Sequence, residues 1–212
     1  MKQLSQIVCV LLLVFSNVNA QQEKGIIGTN NWLNSWTEFR PDLIEYGEAS
    51  EILTGMITSD TKLYKKNTYM LLGDVFVTHN ATLTIEPGTI IIGDFETKGS
   101  LTITKGATIV ANGLETDPIV FTSNRSVKKA GDWGGLIILG DAPINKYGSG
   151  SSSGYNFTVD TTVNVSYGGD NRESNSGILR YVRIEYAGKR TPNGGNFNAL
   201  LLAGVGSETT IE

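Results

Sequence analysis

A chain of 212 residues suits one domain, or one domain with a small appendage. At 40% hydrophobic and 18% charged, with 25 glycines, it is apolar enough for a core, and the abundant glycine favours short strands and tight turns over long helices. The formal net charge of -4 and the lack of a basic patch exclude nucleic acid as an expected partner.

Residues 1–20 read as a secretory signal peptide. Lys2 supplies a short basic region, Ile7 to Phe15 an apolar stretch too short to span a bilayer, and Val18-Asn19-Ala20 the small residues a signal peptidase reads. Cleavage would remove Cys9, the sole cysteine, and leave 16 basic and 21 acidic residues. Such an exported domain has no disulfide to use and depends on its core. No other segment is apolar enough to be a transmembrane span. Residues 21–50 carry Trp32, Trp36 and Phe39 at helical spacing before Arg40-Pro41. They are expected to form an N-terminal cap over the edge of the first coil, or else a tether.

From residue 51 the strand pattern runs to residue 212. Ile52 to Thr58 is the first candidate; Tyr69 to Leu72 and Val75 to Val77 follow, separated by a Gly73-Asp74 turn. Leu83-Thr-Ile-Glu-Pro-Gly-Thr-Ile-Ile-Ile-Gly93 then recurs as Leu101-Thr-Ile-Thr-Lys-Gly-Ala-Thr-Ile-Val-Ala111, with Leu83 to Leu101, Ile85 to Ile103 and Gly88 to Gly106 all offset by 18 residues. A fixed period of roughly 20 residues marks a solenoid. Pro118 to Thr122 and Gly135 to Gly140 continue the series, with Phe121 and Ile138 offset by 17. Two-residue hairpin turns are mostly missing, so parallel stacking with about three strands per coil is the expected arrangement. In Leu179 to Ala187 the alternation places Val182, Ile184 and Tyr186 on the inward side.

Two insertions break the rhythm. Ser123 to Asp132 reads as a solvated loop, and residues 146–176 form a longer, Gly- and Ser-rich one. Insertions in solenoids gather on one face, often the binding face. The chain closes with Ala199 to Glu212: a strand, a turn and the opening of another strand. That ending reads as a fragment of a longer helix, or as an open coil available for self-association.

Leu83 to Ile90, Asp117 to Asn124, Gly131 to Gly140 and Leu179 to Gly188 resemble secreted proteins of Bacteroidetes-type bacteria. The resemblance covers most of the chain from Ile52 and implies a right-handed parallel β-helix of the pectin-lyase-like superfamily, many of whose members end in a type IX secretion sorting domain. It implies no activity for particular residues.

Chemistry is sparse. Gly150-Ser-Ser-Ser-Gly154 matches the G-x-S-x-G pattern, but it lies in a flexible loop, and the sole histidine, His79, reads as a turn residue. Asp170, Asn171 and Glu173, with Asn175, offer hard oxygen donors for Ca²⁺ at a spacing that fits no known calcium loop, so a solvated loop is the simpler reading. Asp94, Glu96, Asp132 and Asp141 sit at turns that could share a coil face, as the carboxylates of a lyase or hydrolase would. Trp133, Tyr147, Tyr155 and Tyr167 are read as exposed rings able to stack on sugars, the alternative being packing of the insertion against the coil. Four N-glycosylation sequons, at Asn80, Asn124, Asn156 and Asn164, are read as ordinary turn composition. The expectation is an exported, non-catalytic β-helix scaffold that presents its loop face to a glycan or a surface protein, needing no cofactor. A carbohydrate-active enzyme is the alternative.

Overall fold

In the computed structural model, residues 36–152, 163–191 and 195–212 are described. The chain divides into units of residues 1–34 and 35–212, and all described residues belong to the second. The expected signal peptide, the first half of the expected cap, the Asn156 sequon and Tyr155 lie outside the described residues.

Short alternating runs with Gly, Asn and Asp between them cannot close into helices, and among the described residues they form fifteen strands. These are β1 (Glu51–Ile57), β2 (Thr61–Leu63), β3 (Thr68–Val77), β4 (Thr82–Ile85), β5 (Ile90–Gly93), β6 (Ser100–Ile103), β7 (Thr108–Asn112) and β8 (Ile119–Ser123). There follow β9 (Gly135–Leu139), β10 (Gly150–Ser151), β11 (Ser166–Tyr167), β12 (Gly177–Arg180), β13 (Val182–Ile184), β14 (Leu200–Ala203) and β15 (Thr210–Ile211). Apart from the antiparallel β10–β11 pair inside the insertion, every paired strand is parallel.

The pairing builds three stacks. The first face is the front half of β1, the front half of β3, then β5, β8 and β13. The second is the back halves of β1 and β3, then β6, β9 and β14. The third is β2, β4, β7, β12 and β15. Three faces stacked five deep make a parallel β-helix, right-handed as parallel crossovers are. Among the described residues no helix is long and apolar enough to cross a membrane.

The 18-residue period has a different meaning from the one expected. Leu83 pairs with Ile109 and Leu101 with Leu136, not with each other. Successive coils are offset by 22 residues at Thr68–Ile90, 26 at Val75–Leu101, 30 at Ile90–Val120 and 35 at Leu101–Leu136. Each corner uses the same strand–glycine–strand grammar, so the similarity within the sequence reports corners, while the coils lengthen at their loops. At one corner Gly106 has φ +90°, and a methyl group there would stand 2.5 Å from Asn80 Oδ1 of the coil before. Glycine allows both the backbone and the close approach.

Alternation turns one set of side chains inward on every face. Tyr69, Ile91, Phe121 and Ile184 align up the first face, and Val75, Leu101, Leu136 and Leu200 up the second. Tyr69, Ile91, Phe121, Val75, Leu101 and Leu136 are buried in one core. Each fully buried large side chain of this kind contributes about 1.5–3 kcal/mol. Trp133 joins the same core, stacked on Phe121 with ring centroids 6.2 Å apart.

The run from Leu179 to Ala187 keeps its expected phase at Val182 and Ile184 and departs from it at Leu179 and Tyr186. Tyr181, at φ +47°, is a corner, and the left-handed residue resets the alternation. Leu179 before the corner and Val182 and Ile184 after it all face the core. Tyr186 lies past the strand at φ +58°.

The long insertion lies between β9 and β12 and packs on the outside of the second face. Val165 and Tyr167 cover the outward side chains Ile137 and Leu139, together with Phe197, Leu201 and Ala203. The described part of the expected cap, residues 36–50, does not lie over the first coil's edge. It runs along the outside of the first face: Trp36 meets Tyr181 edge-on at 5.7 Å, Tyr46 reaches Arg183 and Glu185 of the last coil, and Ser50 N donates to Thr68 O.

Candidate functional site

Outward positions on the first face align in a column beneath residues 45–49. Met70, Ile92 and Thr122 stand above one another, and Glu185 follows directly after β13. Residues 45–49 bridge over this surface, and the corner loop from Ser123 to Lys128 rises beside it. Between them is a cleft of about 510 Å³. Met70 and Ile92 line it with apolar surface, residues 45–49 bring Glu45, Tyr46 and Glu48, and the corner loop brings Ser123, Asn124, Arg125, Ser126 and Lys128. That volume lies in the range of small-ligand sites, and an apolar lining set among convergent polar groups is their usual composition.

The corner beside the cleft holds most of the buried carboxylates among the described residues. Asp94 accepts from Thr97 N and Thr97 Oγ1, both at 2.9 Å, and from Asn124 Nδ2 of the next coil at 2.7 Å. Asn124 Oδ1 in turn accepts from Phe95 N. Burial opposes ionisation of Asp94, yet these donors together hold its pKa below the usual carboxylate value. Asp132, 1% exposed, accepts from Ser123 Oγ and Lys129 N at 3.0 Å and pairs with Arg125 at 3.1 Å. Arg125 also lies over the Phe95 ring. Asp74 accepts from the Ser100 amide and hydroxyl, with Lys189 Nζ 3.6 Å away.

Glu185 closes the column in the last coil. Its Oε1 faces Arg183 Nη2 at 3.0 Å, and the Tyr46 hydroxyl lies between the two, accepting from Arg183 and donating to Glu185. Glu185 Oε2 and the Thr122 hydroxyl are both buried in this column, where Thr122 is close enough to favour the charged carboxylate. Burial raises the Glu185 pKa against the opposing pull of Thr122 and Arg183, and burial, then the Glu185 charge, push Tyr46 up to about 12.

Of the aromatic residues expected to meet sugars, Trp133 requires correction. It is fully buried, and its Nε1 donates to Glu185 O at 2.8 Å, so it serves the core. A tryptophan at a coil corner fills the interior because the coil beneath offers Gly93 there. Tyr167 is half-buried where the insertion packs on the second face, and Tyr147 stands fully exposed.

Asp170, Asn171 and Glu173 are exposed, and Asn171 Oδ1 accepts from Glu173 N in a local turn. Among the described residues no three His, Cys, Asp or Glu side chains gather as metal ligands would. Gly150 and Ser151 sit in an antiparallel strand pair, not a strand-to-helix elbow. His79 occupies a left-handed turn, bonded to Thr78 Oγ1. Asp94, Glu96 and Asp132 share one corner, whereas Asp141 lies past β9 in an ion pair with Lys105.

Comparison with known families bears directly on this architecture. The family described as "Pectate-lyase like beta helix domain" matches residues 55–212. The chain belongs to that family. Comparison with curated proteins and with solved structures finds no match. In this pectate-lyase-like β-helix domain the signature Gly131-Asp-Trp-Gly-Gly135 is explained by packing: Asp132 ties the corner loop and Trp133 fills the coil. The cleft escaped sequence reasoning because its walls come from residues 45–49, 70, 92 and 123–128, which no spacing connects. The one sequence signal for it was the polar insertion from Ser123 to Asp132.

Proposed function

We propose that the protein is an exported, non-catalytic β-helix module that binds a glycan chain in the cleft on its first face. The observation that carries this reading is the cleft itself, apolar where Met70 and Ile92 line it and hydroxyl-, amide- and charge-bearing along its sides. A sugar ring has the same two characters, an apolar face and a polar rim. Binding without turnover is supported by the commitments of the buried carboxylates: Asp94, Asp132 and Glu185 each hold neighbouring coils or loops together, whereas an acid–base catalyst needs a carboxyl group free to meet substrate. Export follows from the leader-like residues 1–20. The carbohydrate-active alternative finds its support in Glu45 and Glu48, exposed carboxylates on the cleft wall.

The test is a glycan-binding screen with the full chain, neutral and acidic oligosaccharides side by side, followed by product analysis of every ligand found. Binding that falls at least roughly tenfold in the double variant Lys128→Ala, Glu48→Ala, with no cleavage products, supports the reading; the magnitude corresponds to losing hydrogen bonds to charged groups. Cleavage products overturn it in favour of the enzyme. Binding that survives the double variant but is lost in Tyr147→Ala moves the site to the insertion.

A further inference from the structure

Residues 45–49 make no backbone hydrogen bond to the coil among the described residues. Their span is held at two points. At one end Ser50 N donates to Thr68 O, and the Thr68 amide donates to Ser50 Oγ. At the other, Tyr46 is clasped between Arg183 and Glu185. From β1, which Ser50 precedes, the first face rises through β3, β5 and β8 to β13, so residues 45–49 cross that face between two holds.

We propose that residues 45–49 are a movable wall of the cleft, and that the Tyr46–Arg183–Glu185 clasp is the latch that holds this wall closed. A strap without a ladder of its own takes its position from its end points, so the clasp sets the width of the cleft. Released at Tyr46, the strap loses its upper hold, and the wall can lift off Met70 and Ile92. Arg183 and Glu185 are mostly buried while Tyr46 comes from a segment outside the coil, so the latch has a fixed half and a detachable half. Gly47, whose added Cβ would meet nothing within 4 Å, lies next to the latch where a bending backbone needs room.

This inference rests on the cleft being the ligand site, but its test needs no ligand. Cutting by a glutamate-specific protease after the exposed Glu45 and Glu48 is followed in the full chain and in Tyr46→Phe, which keeps the ring and removes the hydroxyl, with amide exchange at Val75–Val77 as the control for global stability. Cutting after Glu45 and Glu48 is expected to speed up at least roughly tenfold, the effect of losing one hydrogen bond to a charged group, while exchange at Val75–Val77 in the core is unchanged. Unchanged cutting at residues 45–49 overturns the latch, and so does an equal rise in exchange at Val75–Val77, which is general destabilisation. Failure to find a glycan ligand would count against the binding function and leave this readout intact. Where a ligand is found, faster association with Tyr46→Phe, which keeps its ring in the cleft wall, is the second expected result, and equal association rates would overturn the gating role.

Discussion

Replacing Gly93 by alanine is expected to destabilise the protein by about 2–4 kcal/mol, through one steric conflict. A methyl group at Gly93 would stand 2.6 Å from both Cβ and Cδ2 of Trp133 and closer still to Cγ. The indole cannot retreat easily. It is fully buried, stacked on Phe121 at 6.2 Å, and fixed by its Nε1 bond to Glu185 O. Because Trp133 Cβ is itself in conflict, a side-chain rotation alone gives no relief, and the two coils must separate locally by several tenths of an ångström. Overpacking a filled core costs about 1–3 kcal/mol, and weakening the indole hydrogen bond adds about 1 kcal/mol. Gly93 is not among the positive-φ residues, so backbone strain does not contribute. The control is Gly47→Ala, where nothing lies within 4 Å and the expected change stays within about 0.5 kcal/mol. Urea unfolding followed by tryptophan fluorescence measures both. Equal stabilities for the two variants would refute the placement of Trp133 over Gly93.

Other consequences follow from the corner carboxylates. Asp132→Ala removes the acceptor of Ser123, Lys129 and Arg125 and is expected to cost about 2–3 kcal/mol in urea unfolding, less than for a fully buried pair because Arg125 is partly solvated, with Asp132→Asn losing less. Asp94 and Glu185 should impose opposite pH dependences. The Asp94 pKa is lowered, so its contribution is present above the ordinary value of 3.8 and is lost as pH falls through the lowered one; Asp94→Asn should abolish that loss. The Glu185 pKa is raised by burial, so the folded protein binds this proton more tightly than the unfolded chain does. Its contribution is full below the ordinary value of 4.5 and declines as pH rises through the raised one. The stability of the wild type relative to Glu185→Gln should therefore fall with rising pH in that window, and a rise would contradict the burial of Glu185.

The sequence by itself determined the class of fold, because period-two alternation between turn residues permits little besides short strands, and the scarcity of hairpin turns made those strands parallel. Strands β1, β3, β8 and β9 lie close to where the alternation places them. Tertiary structure decided what the local pattern could not encode. The 18-residue repeat looked like a coil and proved to be a recurring corner, since stacking register depends on loop lengths that differ from coil to coil. One left-handed residue, Tyr181, broke the alternation, so Leu179 before it faces the core along with Val182 and Ile184 after it, an event invisible to an alternation count. Trp133 read as a surface ring because its neighbours are glycine and aspartate, and it is buried because Gly93, forty residues earlier, lies beneath it. The cleft and its clasp were hidden for the same reason: Tyr46 and Glu185 are 139 residues apart in sequence, and only the stacking of five coils brings them together.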